Sequence, residues 1–247
     1  MAQAHGARGW CVPLLMYHHV GVTLDGRAQT YLSVSSETFA RQMRLLARMG
    51  YRGVTFAEAA LALSEGRRAG SRLVCITFDD GYVSVAENAA PVLHKLAWPA
   101  TVFVPTRWVG QRNEWDASTG KPVQPIMAWD ALAELAARGW EVAAHSRTHP
   151  HLETLSADDA WEEIAECRRD LESQLGASPQ TFCYPYGTYS PAVVEMVRKA
   201  GYTAACTTQS GLARSGMDAM LYPRVKVAHR DGILGLLYRL WIRPHLR

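Results

Sequence analysis

The stretch Ile76-Thr77-Phe78-Asp79-Asp80-Gly81-Tyr82 brings an apolar run to a stop on two adjacent carboxylates and a glycine. Such a run, bounded by Asp and Gly, reads as a buried strand entering a turn. A second stretch, His145-Ser146-Arg147-Thr148-His149, follows another apolar run and places two imidazoles four residues apart. Together they offer the donors of a two-histidine, one-aspartate metal site, with a second carboxylate left to take a proton from water. Each motif alone has a plainer reading. Asp-Asp-Gly is a common turn, and His-x3-His is common on solvated loops and helix faces. Both at strand ends of one chain point to hydrolysis of an amide or ester.

Working outward from these motifs, short apolar runs alternate with amphipathic helices along the whole chain, the signature of a mainly parallel sheet or barrel. Strands are predicted at Pro13 to Tyr17, Tyr51 to Thr55, Leu73 to Phe78, Ala100 to Pro105, Trp140 to Ala144, Thr181 to Tyr184 and Tyr202 to Cys206, with an eighth at Tyr222 to Val227. Between them Phe39, Met43, Leu46 and Met49 keep helical spacing after Ser36, and Gly50 stops the run. Ser156 and the pair Ser190-Pro191 open two further helices. The fold class is α/β, a distorted (β/α)7 or (β/α)8 barrel in a single domain. Its expected parts are an N-terminal extension over 1–12, a catalytic domain over 13–230 and a basic amphipathic C-terminal helix over 231–247.

A chain of 247 residues with 48% hydrophobic and 20% charged residues has the makings of a large core. No apolar run reaches the ~18 residues that a membrane span needs, and Met1 to Trp10 lacks the apolar centre of a secretory signal. The expected location is cytoplasmic, with peripheral contact at the inner membrane face. Five cysteines without a C-x-x-C pair argue against a disulfide framework. The net charge of +3 is too small to imply nucleic acid, but Arg224 to Arg247 carries +5 of it, leaving −2 for the rest. There Ile233, Leu234, Leu237, Leu240 and Trp241 recur at helical spacing, interleaved with Arg239, Arg243 and Arg247. Such a helix suits an anionic membrane surface; packing on the barrel with solvated arginines is the alternative.

In a barrel, Asp79, Asp80 and His145 fall just past strand C-terminal ends, the face on which barrels build active sites. Tyr17-His18-His19 and Tyr184-Pro185-Tyr186-Gly187 end two more strands. The one long aperiodic segment, Thr106 to Met127, has Trp108, Trp115 and Trp129 in or beside it, and an indole face suits the apolar face of a sugar ring.

On these motifs the chain resembles the polysaccharide deacetylases that share the chitooligosaccharide deacetylase (NodB-homology) domain, from about Pro13 to about Val227. The resemblance implies that Asp79 is the catalytic base, that Asp80, His145 and His149 hold a divalent metal, usually Zn2+ and sometimes Co2+ or Ni2+, and that N-acetyl groups are removed from an amino-sugar glycan. The family's third motif, Arg-x-Pro-[Phe/Tyr], reads Cys183-Tyr184-Pro185-Tyr186 here, as in branches with Y-P-Y-G. The arginine that orients the base is therefore missing, while Tyr184, Pro185, Tyr186 and Trp115 are expected to bind substrate and a backbone N–H near Tyr184 to meet the oxyanion. Cys206-Thr207-Thr208-Gln209-Ser210 replaces the Asp-rich fourth motif. Branches with an early Tyr-His-x-Val segment assign the general acid to His18, ahead of His229 in the late histidine motif. By strand alternation His19 should face the other way, as scaffold. Two rivals remain: removal of a formyl group or opening of a cyclic amide at the same site, and a catalytically silent glycan-binding module.

Overall fold

In the computed structural model, which describes residues 10–22, 32–66, 72–119, 122–229 and 231–242, eight parallel strands build the centre of the molecule. They are β1 (Leu14–Tyr17), β2 (Tyr51–Val54), β3 (Arg72–Phe78), β4 (Thr101–Val104), β5 (Glu141–Ala144), β6 (Thr181–Cys183), β7 (Ala204–Ser210) and β8 (Tyr222–Lys226). Seven of them close a ring in the order β1-β8-β7-β6-β5-β4-β3 and back to β1. The eighth, β2, pairs with the first half of β3, Tyr51 opposite Arg72 through Val54 opposite Cys75. β1 takes the second half, Leu14 opposite Cys75 through Tyr17 opposite Phe78. The choice between seven and eight strands thus resolves to a closed seven with one strand outside the ring.

The period-two alternation of the strands divides the core. Leu14, Cys75, Phe103, Ala143, Cys183, Cys206 and Tyr222 meet one another inside the ring. Their neighbours Leu15, Ile76, Val104, Ala144, Phe182 and Tyr184 face the helices. The helices are α1 (Ser36–Arg48), α2 (Phe56–Ser64), α3 (Ala90–His94), α4 (Trp129–Ala137), α5 (Ala157–Leu175), α6 (Pro191–Lys199) and α7 (Ile233–Leu237). Their starts follow local chemistry: the Ser35, Ser156 and Ser190 side chains each accept the backbone N–H three residues on, satisfying a donor the helix cannot. The cap of α1 is Ser35, one residue before the expected start. At the floor of the barrel the half-buried Glu141 carboxylate accepts from Thr101 Oγ1 (2.8 Å), Thr181 Oγ1 (2.6 Å) and Ala57 N–H (2.9 Å).

A π-helical turn, Tyr238–Ile242, continues α7. Leu236 and Leu240 pack into the core while Leu234, Tyr238 and Trp241 stay exposed, so the apolar residues divide between two faces. Arg243 and Arg247, and residues 1–9, lie outside the described residues. Cys11–Val12 pairs antiparallel with Ala213–Arg214. All five cysteines are free thiols, four of them buried. No described helix is long and apolar enough to cross a membrane.

Candidate active site

The inward-facing series of the strands continues past their C-terminal ends: Met16 and His18 after Leu14, Asp79 after Cys75 and Thr77, His145 after Ala143. These residues meet in one cavity of about 400 Å3. Asp79 still belongs to the ladder, donating its N–H to the Tyr17 carbonyl at 3.0 Å. Asp80 then turns left-handed (φ 70°), and Gly81 follows (φ 71°). That pair of positive φ values sends two adjacent carboxylates to different positions in the same cavity.

Asp80 Oδ1 lies 3.3 Å from His145 Nε2 and 3.4 Å from His149 Nε2. All three residues are buried, and one donor atom from each falls within 4.8 Å of the others. His145 donates Nδ1–H to the Cys183 carbonyl at 2.7 Å, which fixes the ring and turns Nε2 toward Asp80. Two imidazole nitrogens and one carboxylate oxygen, converging from buried and anchored side chains, suit a divalent cation with open positions for water and substrate. A second grouping, Asp79, His145 and Cys183, lies within the same reach. It does not serve: Arg224 occupies Asp79, and burial pushes the Cys183 thiol far up, away from the thiolate that a metal needs.

His149 sits on a loop, not on a helix. Its N–H donates to Ser146 Oγ at 3.0 Å, and Ser146 (φ 61°) and His149 (φ 67°) are both left-handed. Glu163 of α5 clamps the middle of the loop, accepting the N–H groups of Arg147 (2.8 Å) and Thr148 (2.7 Å) and the Thr148 hydroxyl (2.6 Å). The Trp115 ring stacks on His149 at 4.7 Å and lines the cavity. Trp108 stands edge-on to Trp115 and donates Nε1–H to the Thr148 carbonyl at 3.0 Å, while Trp129 begins α4 and packs against the core.

A family model for polysaccharide deacetylases matches residues 66–205, more than half of the chain. The chain belongs to the polysaccharide deacetylase family. It is 26% identical over 237 residues to the poly-beta-1,6-N-acetyl-D-glucosamine N-deacetylase of Escherichia coli, covering 83% of this chain and 35% of that one, so it spans about a third of that relative's length. Among solved structures, IcaB from Ammonifex degensii superposes with a TM-score of 0.78 at 28% identity, covering 95% of this chain and 97% of the other. The Streptococcus pyogenes deacetylase PplD, solved with acetate, superposes at 0.81 and 24% identity over 94% and 98%, a likeness of fold.

In this polysaccharide deacetylase the arginine absent from the third motif is supplied from elsewhere. Arg224 of β8 forks onto Asp79, with Nη1 to Oδ1 at 2.6 Å and Nη2 to Oδ2 at 2.7 Å, and both side chains are buried, 0% and 3% exposed. The guanidinium also donates to Thr77 Oγ1 (3.0 Å) and, through Nε, to the Thr207 carbonyl (2.9 Å). Burial alone would raise the Asp79 carboxyl; the charge and hydrogen bonds of Arg224, helped by His18 and His145, carry it below its ordinary value. Asp79 is therefore ionised near neutrality, as a base must be. Sequence reasoning missed Arg224. The signal was its parity: Tyr222 and Arg224 share the inward face of β8.

Three expectations are corrected by the geometry. Tyr184 does not line the cavity; next to the inward Cys183 it faces outward, buried against Phe182 and Tyr189, and its N–H donates to the Cys206 carbonyl at 3.2 Å. Pro185 is likewise buried and outside the cavity, so of that motif only Tyr186 reaches it, on a left-handed turn (φ 58°). The adjoining Gly187 (φ 76°) presses on Thr208, where a Cβ would strike the backbone nitrogen. His19 was expected to face away, but β1 ends at Tyr17, alternation lapses, and His18 and His19 both line the cavity. His19 stacks on Tyr82 at 3.8 Å, and burial, reinforced by His18, lowers it to about 4. His18 Nε2 lies 3.9 Å from Asp79 Oδ2. His229, the other candidate acid, faces the Ser33 carbonyl (3.1 Å) and is not among the residues lining the cavity.

Proposed function

We propose that this chain is a metal-dependent hydrolase that removes N-acetyl groups from the amino sugars of a glycan, either a polysaccharide or a lipid-linked saccharide. The observation that carries the reading is a buried, ionised carboxylate, Asp79, held by Arg224 beside the convergent donors of Asp80, His145 and His149. The Escherichia coli relative, a poly-beta-1,6-N-acetyl-D-glucosamine N-deacetylase by name, supports the substrate class.

A divalent cation, Zn2+ by family resemblance, bound by Asp80, His145 and His149 would supply Lewis acidity and a water of lowered pKa. The protein's own groups do the rest. Asp79 accepts the proton of the attacking water, because its ionised state is fixed before substrate arrives. In the third-motif turn the N–H groups of Tyr184, Gly187 and Thr188 are already spent on carbonyls and Pro185 has none, which leaves the Tyr186 N–H as the donor for the developing oxyanion. His18 delivers a proton to the departing amine, whereas the neutral His19 braces Tyr82. Trp115 and Tyr186 flank His149 as platforms for sugar rings. The test is acetate release from an N-acetylated oligosaccharide, abolished by chelation, restored by metal and absent in Asp79→Asn. Release of formate in preference to acetate would instead favour the deformylase reading.

The exposed Leu234, Tyr238 and Trp241, on a segment with an excess of basic residues, fit peripheral contact with an anionic membrane surface.

A further inference from the structure

The aperiodic segment Thr106 to Met127 is stitched to the turn that carries Asp80. Met127 donates its N–H to the Gly81 carbonyl (2.9 Å) and Val83 donates to the Pro125 carbonyl (3.0 Å), with Tyr82 opposite Ile126 in an antiparallel bridge. The buried Tyr82 side chain lines the catalytic cavity together with Asp80. Next to it stands Asn113, also buried, whose amide is fixed in one orientation. Its Oδ1 accepts the Gln124 N–H, so the Nδ2 hydrogens serve the Tyr82 hydroxyl oxygen (3.2 Å) and Asp116 Oδ2 (2.9 Å). The Tyr82 oxygen is thereby an acceptor toward Asn113, and its single hydrogen goes to the Asp80 carboxylate, with which it is hydrogen-bonded. The left-handed φ of Asp80 places the base of the side chain, but the terminal torsion of an aspartate is broad, so backbone geometry alone leaves the carboxylate plane unset. A donor on that carboxylate sets it, and Oδ1 faces both His145 and His149.

On the reading of Asp80 as a metal ligand, which this step rests on, we infer that Tyr82 and Asn113 are positioning residues of the metal site. Asn113 orients the Tyr82 hydroxyl, and Tyr82 holds the Asp80 carboxylate in the plane that completes the site with His145 and His149. The segment that carries Trp115 thus serves twice, presenting a platform for the sugar and bracing a ligand.

The test is a Zn2+ titration of the full chain, without substrate, in competition with a chromogenic chelator. Tyr82→Phe keeps the ring that stacks on His19 at 3.8 Å and should bind Zn2+ about 10- to 100-fold more weakly. The metal-free variant should melt within about 4 °C of the wild type, since only one hydroxyl is removed. Loaded with Co2+, it should show a shifted visible absorption band, a change at the ligands that a general loss of stability does not produce. Asn113→Ala should weaken Zn2+ binding in the same direction, and little further when added to Tyr82→Phe, because it acts through the hydroxyl. It leaves the phenol in place, so it carries the test if Tyr82→Phe does not fold. Zn2+ affinity equal to wild type in Tyr82→Phe, an unchanged Co2+ spectrum, or additive losses in the double variant overturns the assignment. Asp80→Ala separates the two readings: Zn2+ lost there but bound at full affinity by Tyr82→Phe removes only the brace, whereas Zn2+ retained in Asp80→Ala removes the ligand reading itself.

Discussion

Arg224→Met removes one partner of a buried pair joined by hydrogen bonds of 2.6 and 2.7 Å. Both side chains are buried, 0% and 3% exposed, so little solvent replaces the lost guanidinium, and Asp79 remains as an uncompensated buried charge. Breaking such a pair costs about 3–5 kcal/mol, whereas exchanging both members for neutral groups is close to neutral. At roughly 2–4 °C per kcal/mol for a chain of this size, Arg224→Met should melt about 6–20 °C below the wild type. Asp79→Asn should also destabilise, by stranding the guanidinium. In the Asp79→Asn background, adding Arg224→Met should cost nothing or stabilise, giving a coupling of several kcal/mol in a double-mutant cycle.

The pH dependence has a definite sign. In the wild type the folded-state Asp79 lies below its ordinary value, so its stabilising contribution is complete above the unfolded carboxyl pKa of about 3.9 and is lost as pH falls through the folded one. In Arg224→Met burial pushes the same group above its unfolded value, so its contribution turns unfavourable and grows as pH rises through that window. The stability gap between the two proteins should be small in acid and widen toward neutrality. Denaturant titrations of the four proteins at several pH values measure it. A loss under about 1 kcal/mol at pH 7, or an equal loss with Asp79 and with Asn at that position, refutes the assignment of Arg224 as the group that holds the base.

Asp80→Ala and His149→Ala should each lose bound metal and acetate release together by metal analysis; full metal content in both variants would remove them from the ligand set. His18→Ala should keep its metal yet turn over about a hundredfold more slowly, as for a lost general acid; unchanged turnover would transfer the role to solvent or to His229. Tyr184→Phe removes a buried hydroxyl with no hydrogen-bond partner among the described residues. It should leave KM unchanged and stability equal or higher by up to about 1 kcal/mol, and a raised KM would return Tyr184 to the groove. Leu234→Glu with Trp241→Glu should abolish co-sedimentation with anionic vesicles while the melting temperature holds, and a large drop in melting would assign these side chains to packing.

The barrel was legible because its strands are short apolar runs ended by turn chemistry, and because Asp79-Asp80 and His145…His149 fall at such ends. Arg224 was not, since a lone arginine in Tyr222-Pro223-Arg224-Val225-Lys226 looks like a solvated edge residue. Its partner is 145 positions away in sequence, and only ring closure between β8 and β1 brings the two together. Tyr184 was misplaced for a related reason: motif resemblance says which segment lines a groove but not which parity faces it, and Cys183 takes the inward position. His19 shows the opposite failure, alternation applied two residues beyond the point where the strand stops.

The adjacent aspartates carry the same lesson into mechanism. Simple strand alternation would send Asp79 inward and Asp80 out among the helices, leaving a base without a ligand. Asp80 instead adopts φ 70°, and Ser146, His149 and Tyr186 are also left-handed, so four of the five described non-glycine residues with positive φ lie in or beside the catalytic cavity. Such conformations cost of order 1 kcal/mol or more each and persist only where neighbouring contacts over-determine them. Those contacts are present: Gly81 continues the turn at Asp80, Ser146 Oγ and Glu163 fix the loop that ends at His149, and Thr208 Oγ1 donates to the Tyr186 carbonyl at 3.1 Å. Backbone strain, held by Gly81, Ser146, Glu163 and Thr208, sets the carboxylates of consecutive residues, the proposed base and ligand, on one cavity. Glu163→Ala should therefore weaken metal binding without altering any ligand, because it frees the loop that carries His149; metal affinity equal to wild type would show that the ligand geometry survives without its clamp.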